Sequence, residues 1–275
     1  MTVGPDTKPA HDSPQPQFVH VEEVMGMAVT ITVDGGTPTA IEHGIVAAVA
    51  WLHSVDRTYS TYKSDSTITR FARNELRIED LDTEVIEVLD LCEQAFIDTD
   101  GAFDAHSVKA PNGTMFEPSG LVKGWSVERA ADIMKSHGLV DFTINAGGDI
   151  ALRGGAWRTG ILHPAQTDKV AVVLETTGRF AIATSAVYER GTHIVDPKTG
   201  LAAASVRSFT IVGPDLTQAD IWATAIFVTG PDGTDRLPFG YDSFIILPED
   251  TTLETPGFNA YRATAESRQH HNMCS

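Results

Sequence analysis

The sequence predicts one α+β domain whose sheets are mixed, largely antiparallel, and packed by helices. Three observations carry that prediction. Short β-branched runs alternate with longer segments of helical periodicity along the chain. Strands cluster in the second half without the regular strand–helix alternation of a doubly wound sheet. No internal repeat, coiled coil or linker divides the 275 residues, and 42% of them are apolar, enough for one sizeable core.

The elements follow in order. Residues 1–18, MTVGPDTKPAHDSPQPQF, hold four prolines and no apolar run, the composition of a mobile leader. Met27 to Val33 is β-branched and reads as a strand, ended by Asp34-Gly35-Gly36. Ile41, Ile45, Val49, Leu52 and Val55 recur at helical spacing. A polar segment from Thr58 to Asn74 follows. Thr83 to Phe96 repeats the helical pattern through Val85, Leu89, Cys92 and Phe96, which makes Cys92 a core residue. The Gly/Pro-punctuated stretch from Asp100 to Gly120 leads into a helix over Val122 to His137, with Ser119 as candidate cap and Gly138 at the stop. Asp141 to Asn145 reads as a strand running into Ala146-Gly147-Gly148-Asp149. Short strands are expected at 151–153, 157–162, 170–175, 180–184 and 209–212. A last helix spans Thr217 to Val228 and stops at Gly230; Ser243 to Leu247 is apolar enough for a buried strand. Residues 263–275 are polar and expected to fray.

The chain carries 20 Lys+Arg against 37 Asp+Glu, a formal net charge of -17. Such a surface repels phosphate backbones, which argues against nucleic acid or an anionic membrane as the main partner. An anionic small ligand would need a local cation. Cys92 and Cys274 are the two cysteines and form neither a disulfide framework nor a zinc set. No stretch of about 18 apolar residues is present to span a membrane. The first residues lack the basic start and apolar core of a secretory signal. A cytoplasmic protein without a membrane anchor is the expectation.

The common nucleotide and hydrolase signatures are missing: no P-loop, no G-x-G-x-x-G after a strand, no G-x-S-x-G elbow and no H-E-x-x-H. Five other pieces remain. In T-Q-A-D-I-W-A-T-A, Asp220 and Thr224 stand four apart and share one helix face. Carboxylate plus hydroxyl is an oxygen set suited to Mg2+. The same residues also read as a capping box, Thr217 as N-cap and Asp220 as N3, and taken alone the cap is the commoner arrangement. In M-F-E-P-S-G-L-V-K-G-W-S-V, Glu117 precedes a Ser-Gly turn and Lys123 opens a helix. A helix N-terminus with a lysine can hold an anion, or it is a plain helix start with Gly124 kept small for packing. Asn145-Ala146-Gly147-Gly148-Asp149 lets backbone approach a ligand, though a tight hairpin is the simpler reading. In T-H-I-V-D-P-K-T-G, His193 precedes a β-turn and is a candidate general base. Ser60-Thr61-Tyr62 puts a tyrosine beside a polar turn, able to stack on a ring or fill the core. For Trp51, Trp125, Trp157 and Trp222, core packing is the default.

In their order these pieces resemble the ApbE family, the FAD:protein FMN transferases. The likeness runs through V-M-G-M-A-V-T-I-T-V, S-T-Y-K-S-D-S-T-I-T-R-F, G-A-F-D, S-G-L-V-K-G-W-S-V-E-R-A-A, I-N-A-G-G-D-I, A-I-A-T-S, H-I-V-D-P-K-T-G and A-D-I-W-A-T-A. It implies an ApbE-like flavin transferase domain over residues 19–262, between the leader 1–18 and the tail 263–275. It implies Mg2+-dependent cleavage of FAD, with FMN passed to a threonine hydroxyl of a target flavoprotein and AMP released. By the same likeness Met25 lies against FAD, Tyr62 packs on one of its rings, and Ala102, Phe103 and Asp104 line the nucleotide. Glu117 and Lys123 match the acid and base of the family's D-L-G-x-I-x-K-G stretch, and Ile194 falls at a further FAD contact. Gly120, through its carbonyl, Asp220 and Thr224 match the metal ligands, which reverses the capping reading of Asp220. Lys123, Asp220 and His193 are the candidate catalytic residues. His193, or a carboxylate such as Glu117, would take the proton of the acceptor hydroxyl.

The chain departs from the family pattern at several places, among them Phe-Glu-Pro-Ser, which replaces the more usual apolar lead-in to Gly120. Glu117 stands where the family usually has Asp. After Gly-Ala-Phe-Asp, the segment A-H-S-V-K-A-P-N-G-T is short and leaves His106 and Lys109 without counterparts. Other readings stay open: a Mg2+-dependent FAD pyrophosphatase giving FMN and AMP, a non-catalytic FAD-binding protein, or a structural protein with no ligand. Transfer and hydrolysis would share the metal and FAD sites, so the sequence does not separate them. Mg2+ is the expected metal, with Mn2+ as an alternative.

Overall fold

A computed structural model describes residues 17–107, 109–186 and 206–264. Its strands are β1 (Phe18–Val24), β2 (Met27–Val33), β3 (Phe142–Ala146), β4 (Asp149–Arg153), β5 (Trp157–His163), β6 (Gln166–Thr176), β7 (Phe180–Ala186), β8 (Ser208–Gly213), β9 (Asp242–Ile246) and β10 (Thr252–Glu254). The helices are α1 (Pro38–Tyr59), α2 (Thr67–Ala72), α3 (Thr83–Asp98), α4 (Ser119–Ser136) and, last, α5 (Leu216–Thr229).

Alternation of side chains builds the sheet. β2 buries Val29, Ile31 and Val33 and leaves Thr30 and Thr32 half-buried, the two-residue period of a strand with one covered face. Eight strands pair in the order β1-β2-β3-β4-β7-β8-β9-β10, and β5 and β6 form a hairpin of their own. Every pairing between these strands is antiparallel. The observed architecture is thus the predicted one, antiparallel sheet packed by helices.

Three apolar clusters hold the layers together. Ile31, Ile144, Ala151 and Ala183 face Leu52 of α1, Ala130 of α4 and Ala223 of α5 across one side of the sheet. Leu152, Ile182, Val212 and Phe244 point to the other side, where Leu174 of the β5–β6 hairpin and Phe258 cover them. A third cluster is helical: Val55, Val88, Phe103, Leu121, Trp125 and Ile221 join α1, α3, α4, α5 and the loop after α3. α5 therefore lies between sheet and helices, and it is buried nearly all round rather than along one stripe.

Several expectations need correction. β1 was not foreseen, because His20, Glu22 and Glu23 dilute its apolar pattern and much of it faces solvent at the sheet edge. α2 lies inside the segment expected to be merely polar, with Ser66 capping it through the Thr69 N–H. β10 is an exposed strand with no apolar signal, paired onto β9. Ser119 is not a cap: Pro118 occupies the N-cap position of α4 and Ser119 is already helical. Phe96 is 47% exposed rather than core, because its ring lies against Gly101 in the turn that follows α3. Cys92 is buried as expected.

Candidate active site

α4 and α5 cross so closely that two glycines are required at the contact. A Cβ on Gly120 would stand 2.9 Å from Thr224 Oγ1, and one on Gly124 would stand 2.6 Å from the Leu216 carbonyl and 2.7 Å from Asp220 Cβ. Gly120 and Gly124 are one turn apart on α4, and Asp220 and Thr224 are one turn apart on α5, so the helices mesh as two successive rungs. The Gly124 N–H donates to Asp220 Oδ2 at 2.9 Å. In an α-helix that N–H is aimed at the carbonyl four residues back, here Gly120. Asp220 therefore competes for the donor that would otherwise belong wholly to the Gly120 carbonyl.

These contacts replace the capping reading. Asp215, not Thr217, is the N-cap of α5, and its side chain accepts from the Gln218 N–H at 3.2 Å. Asp220 lies in the helix body, 1% exposed. Among the described residues Thr224 Oγ1 is buried and has no hydrogen-bond partner. An unpartnered buried hydroxyl is costly unless something else satisfies it. A buried carboxylate, an orphaned hydroxyl and a backbone carbonyl at a glycine make an oxygen-only donor set, which fits Mg2+. Among the described residues no group of three or more His, Cys, Asp or Glu side chains could hold a metal. A donor set drawn from one carboxylate, one hydroxyl and one carbonyl is compatible with that.

Lys123 is the candidate cation among the described residues, between the two glycines on α4. Its Nζ lies 2.9 Å from Asp149 Oδ2, and the two side chains are 12% and 0% exposed. Asp149 stands on β4 just after the Gly147-Gly148 turn, whose residues have φ 57 and 92, so the hairpin reading of that motif holds. The other oxygen, Oδ1, accepts from the Thr184 N–H at 3.2 Å. Glu117 braces the start of α4: Oε2 accepts from Thr61 Oγ1 at 2.8 Å, and Oε1 accepts from the Ser119 N–H at 3.1 Å.

Met25 and Gly26 form the β1–β2 turn with φ 55 and 74, and Met25 Sδ is 3.8 Å from Ser126 Oγ on α4. A left-handed φ at a methionine is a strained conformation, of the sort that gathers at functional sites. Phe103 is core, its ring within 3.4 Å of where a Gly120 Cβ would be, and its N–H donates to Thr99 Oγ1. Ala102 is buried beside it; Asp104 fastens its own turn by accepting from the His106 N–H at 2.8 Å. Tyr62 is 83% exposed, one residue from the Thr61 that holds Glu117. His193 and Ile194 lie outside the described residues. The remaining predicted site residues thus gather around the N-terminal half of α4. A cavity of about 230 Å³ shares Ala102 with this region but is lined otherwise by Thr99, Trp222, Ala225 and Arg236, without Asp220 or Lys123.

Asp149 and Glu128 were missed as site residues. Asp149 was visible only as the end of a hairpin motif. Glu128 had a signal in its spacing, since it follows Gly124 by one turn and Gly120 by two. Its Oε2 accepts from the Leu216 N–H at 3.0 Å, its Oε1 lies 2.6 Å from Arg179 Nη2, and Arg153 Nη2 pairs with the same oxygen. Burial pushes the Glu128 carboxyl up from its ordinary value, and Arg153 beside it opposes that shift.

The sequence pattern of the ApbE family matches residues 25–110 and 105–238. An FAD:protein FMN transferase of Vibrio cholerae is 32% identical over 128 residues, 42% of this chain and 38% of that protein. One from Treponema pallidum is 28% identical over 179 residues, 55% of this chain and 49% of that protein. The matched part of the chain thus spans under half the length of these relatives. Among solved structures, an ApbE protein from Thermotoga maritima superposes with a TM-score of 0.80 at 22% identity, covering 90% of this chain and all 100% of that one. The flavin transferase ApbE of Vibrio cholerae gives 0.76 at 21%, with 90% and 100% covered. These likenesses establish the shared fold. The chain belongs to the ApbE family.

Proposed function

We propose that this ApbE-family chain transfers FMN from FAD to a threonine hydroxyl of a target flavoprotein and releases AMP. One observation carries the reading: at the α4–α5 crossing the Thr224 hydroxyl, orphaned among the described residues, lies against Gly120 and Asp220 lies against Gly124, with the buried Lys123–Asp149 pair starting between those two glycines. A phosphoryl-transfer site needs such a pairing of oxygen ligands with a fixed cation. The names borne by its relatives support the substrate class.

In the proposed reaction the acceptor oxygen attacks the FMN-side phosphorus. The new P–O bond forms as the bond to the bridging oxygen breaks, and AMP leaves with that oxygen. Asp220, Thr224 and the Gly120 carbonyl would hold Mg2+, which when bound neutralises charge on the phosphoryl oxygens. Lys123 would stabilise the same charge; its ammonium pairs with Asp149 at 2.9 Å. Met25 and Tyr62 would flank the flavin, and the loop at Ala102, Phe103 and Asp104 would present backbone groups to the nucleotide. His193 is the proposed proton acceptor, with Ile194 contacting FAD. Among the described residues no helix is long and apolar enough to cross a membrane; a cytoplasmic place of action is part of the proposal.

The test is to incubate the protein with FAD, Mg2+ and a threonine-bearing acceptor protein, following AMP release and the acceptor's mass. A gain of one FMN, lost on chelation and in Asp220→Ala, supports the reading. AMP without acceptor modification would replace transfer by FAD hydrolysis. His193→Asn at full transfer rate would remove His193 as the base.

A further inference from the structure

We infer that Glu128 is a positioning residue that sets the metal-binding face of α5 against α4. The inference rests on the proposed metal site. Three residues on α4, Gly120, Gly124 and Glu128, are spaced by four, and so are Thr224, Asp220 and Leu216 on the antiparallel α5. The rungs are Gly120 against Thr224, Gly124 against Asp220, and Glu128 against Leu216. The first two are van der Waals contacts and one hydrogen bond, which fix distance but little else. The third is the anchor. Glu128 Oε2 accepts from the Leu216 N–H, the first helical residue of α5, whose N–H has no partner within the helix.

Glu128 is itself held from two sides. Arg153 on β4 pairs with it inside the protein, both side chains being 6% exposed. Arg179, just before β7, bridges Glu128 Oε1 at 2.6 Å to the N-cap carboxylate Asp215 Oδ2 at 2.9 Å, and its Nε donates to the Pro214 carbonyl at 3.0 Å. The start of α5 is therefore tied at once to α4, to β4 and to the residue that leads into β7. A helix clamped at its first residue cannot slide along its neighbour. Asp220 and Thr224, one and two turns on, inherit that register. Glu128 touches neither the predicted ligand atoms nor FAD in this reading, and acts through α5.

The prediction separates positioning from mere stability. Binding of Mn2+, followed by its paramagnetic signal without FAD, should weaken about tenfold in Glu128→Ala, the ordinary cost of disturbing residues that orient metal ligands. Glu128→Gln keeps an oxygen for the Leu216 N–H and should recover most of the affinity. Arg179 is 47% exposed, so Arg179→Gln tests the same bridge in a variant expected to fold, with a loss smaller than the roughly tenfold of Glu128→Ala. Leu139→Ala, a buried core change remote from these rungs, should lower Tm without moving the Mn2+ midpoint. Unchanged Mn2+ affinity in Glu128→Ala, or in Arg179→Gln where Glu128→Ala does not fold, overturns the inference. Failure of the wild-type protein to bind Mn2+ would instead overturn the metal-site reading and this one with it.

Discussion

Gly124 and Asp220 touch across two helices in a way that leaves room for no other residue at position 124. The Gly124 N–H donates to Asp220 Oδ2 at 2.9 Å, and a methyl on Gly124 would meet Asp220 Cβ at 2.7 Å. A glycine inside a helix normally destabilises it by about 1 kcal/mol relative to alanine. Here that cost secures the close approach that gathers Asp220, Thr224 and Gly120.

Gly124→Ala should therefore lose more at the site than in the fold. The added methyl meets the Leu216 carbonyl at 2.6 Å, a backbone atom that cannot swing aside. Overpacking of this kind costs about 1–3 kcal/mol, partly offset by alanine's better helix propensity. We expect urea unfolding to show a small net loss while the Mg2+ concentration needed for half-maximal FMN transfer rises several-fold. An unchanged metal requirement would mean that the tight crossing serves packing alone.

Thr224 offers the opposite dissociation. Among the described residues its hydroxyl is buried and unpartnered, so removing it relieves an unsatisfied polar group. Thr224→Val should leave thermal stability equal or raised, by up to about 1–2 kcal/mol, while metal-dependent transfer collapses. Thr224→Ser, which keeps the oxygen, should retain activity. If Thr224→Val transfers FMN at the wild-type rate, the hydroxyl is no ligand.

Much of this site could be read in the chain, and the part that could not has a physical cause. Asp220 and Thr224 were visible because a helix converts a spacing of four into a shared face. Gly138 and Gly230 marked helix stops, and both have left-handed φ, 85 and 78. What was hidden depends on partners distant in sequence. Glu117 is held by Thr61, 56 residues earlier, and Glu128 by the Leu216 N–H, 88 residues later. Periodicity shows which face of a helix is buried, not which helix it meets. The reading of Thr217 as a cap failed for the same reason: Asp215 and Thr217 are both good caps on paper, and Arg179 and Glu128 favour the earlier one. β1 was illegible because an edge strand needs only one partner and buries little.

The Lys123–Asp149 pair should behave as a unit. Asp149 is 0% exposed, so Lys123→Met strands a buried carboxylate and should cost about 3–5 kcal/mol in urea unfolding. Adding Asp149→Asn removes the stranded charge while leaving an acceptor for the Thr184 N–H. The double variant should regain most of the lost stability yet stay inactive in transfer. Additive losses in the two singles and the double would show that the ammonium and carboxylate are not coupled.

Cys92 gives a pH test independent of catalysis. Burial pushes its thiol up to about 12. A group whose folded value is raised contributes its stability fully below the unfolded value, about 8.5 for a cysteine, and loses it as pH rises toward the folded value. Between pH 9 and 10 the unfolded chain should release this proton while the folded one keeps it. Stability should then fall by up to about 1.4 kcal/mol per pH unit from this residue. Tyr59 and Tyr241, also raised by burial, add their own slopes from about pH 10 upward, where tyrosines ionise. The comparison is urea unfolding of the Cys274→Ser protein against the same protein with Cys92→Ala, at pH 8, 9 and 10. Cys92→Ala should be the less stable at pH 8, because of the cavity it leaves, but should show the shallower decline between pH 9 and 10. The same burial predicts that Cys92 resists a thiol reagent at pH 8 until urea unfolds the chain. Equal slopes in the two proteins, or rapid labelling of the folded one, would show that the thiol is open to water.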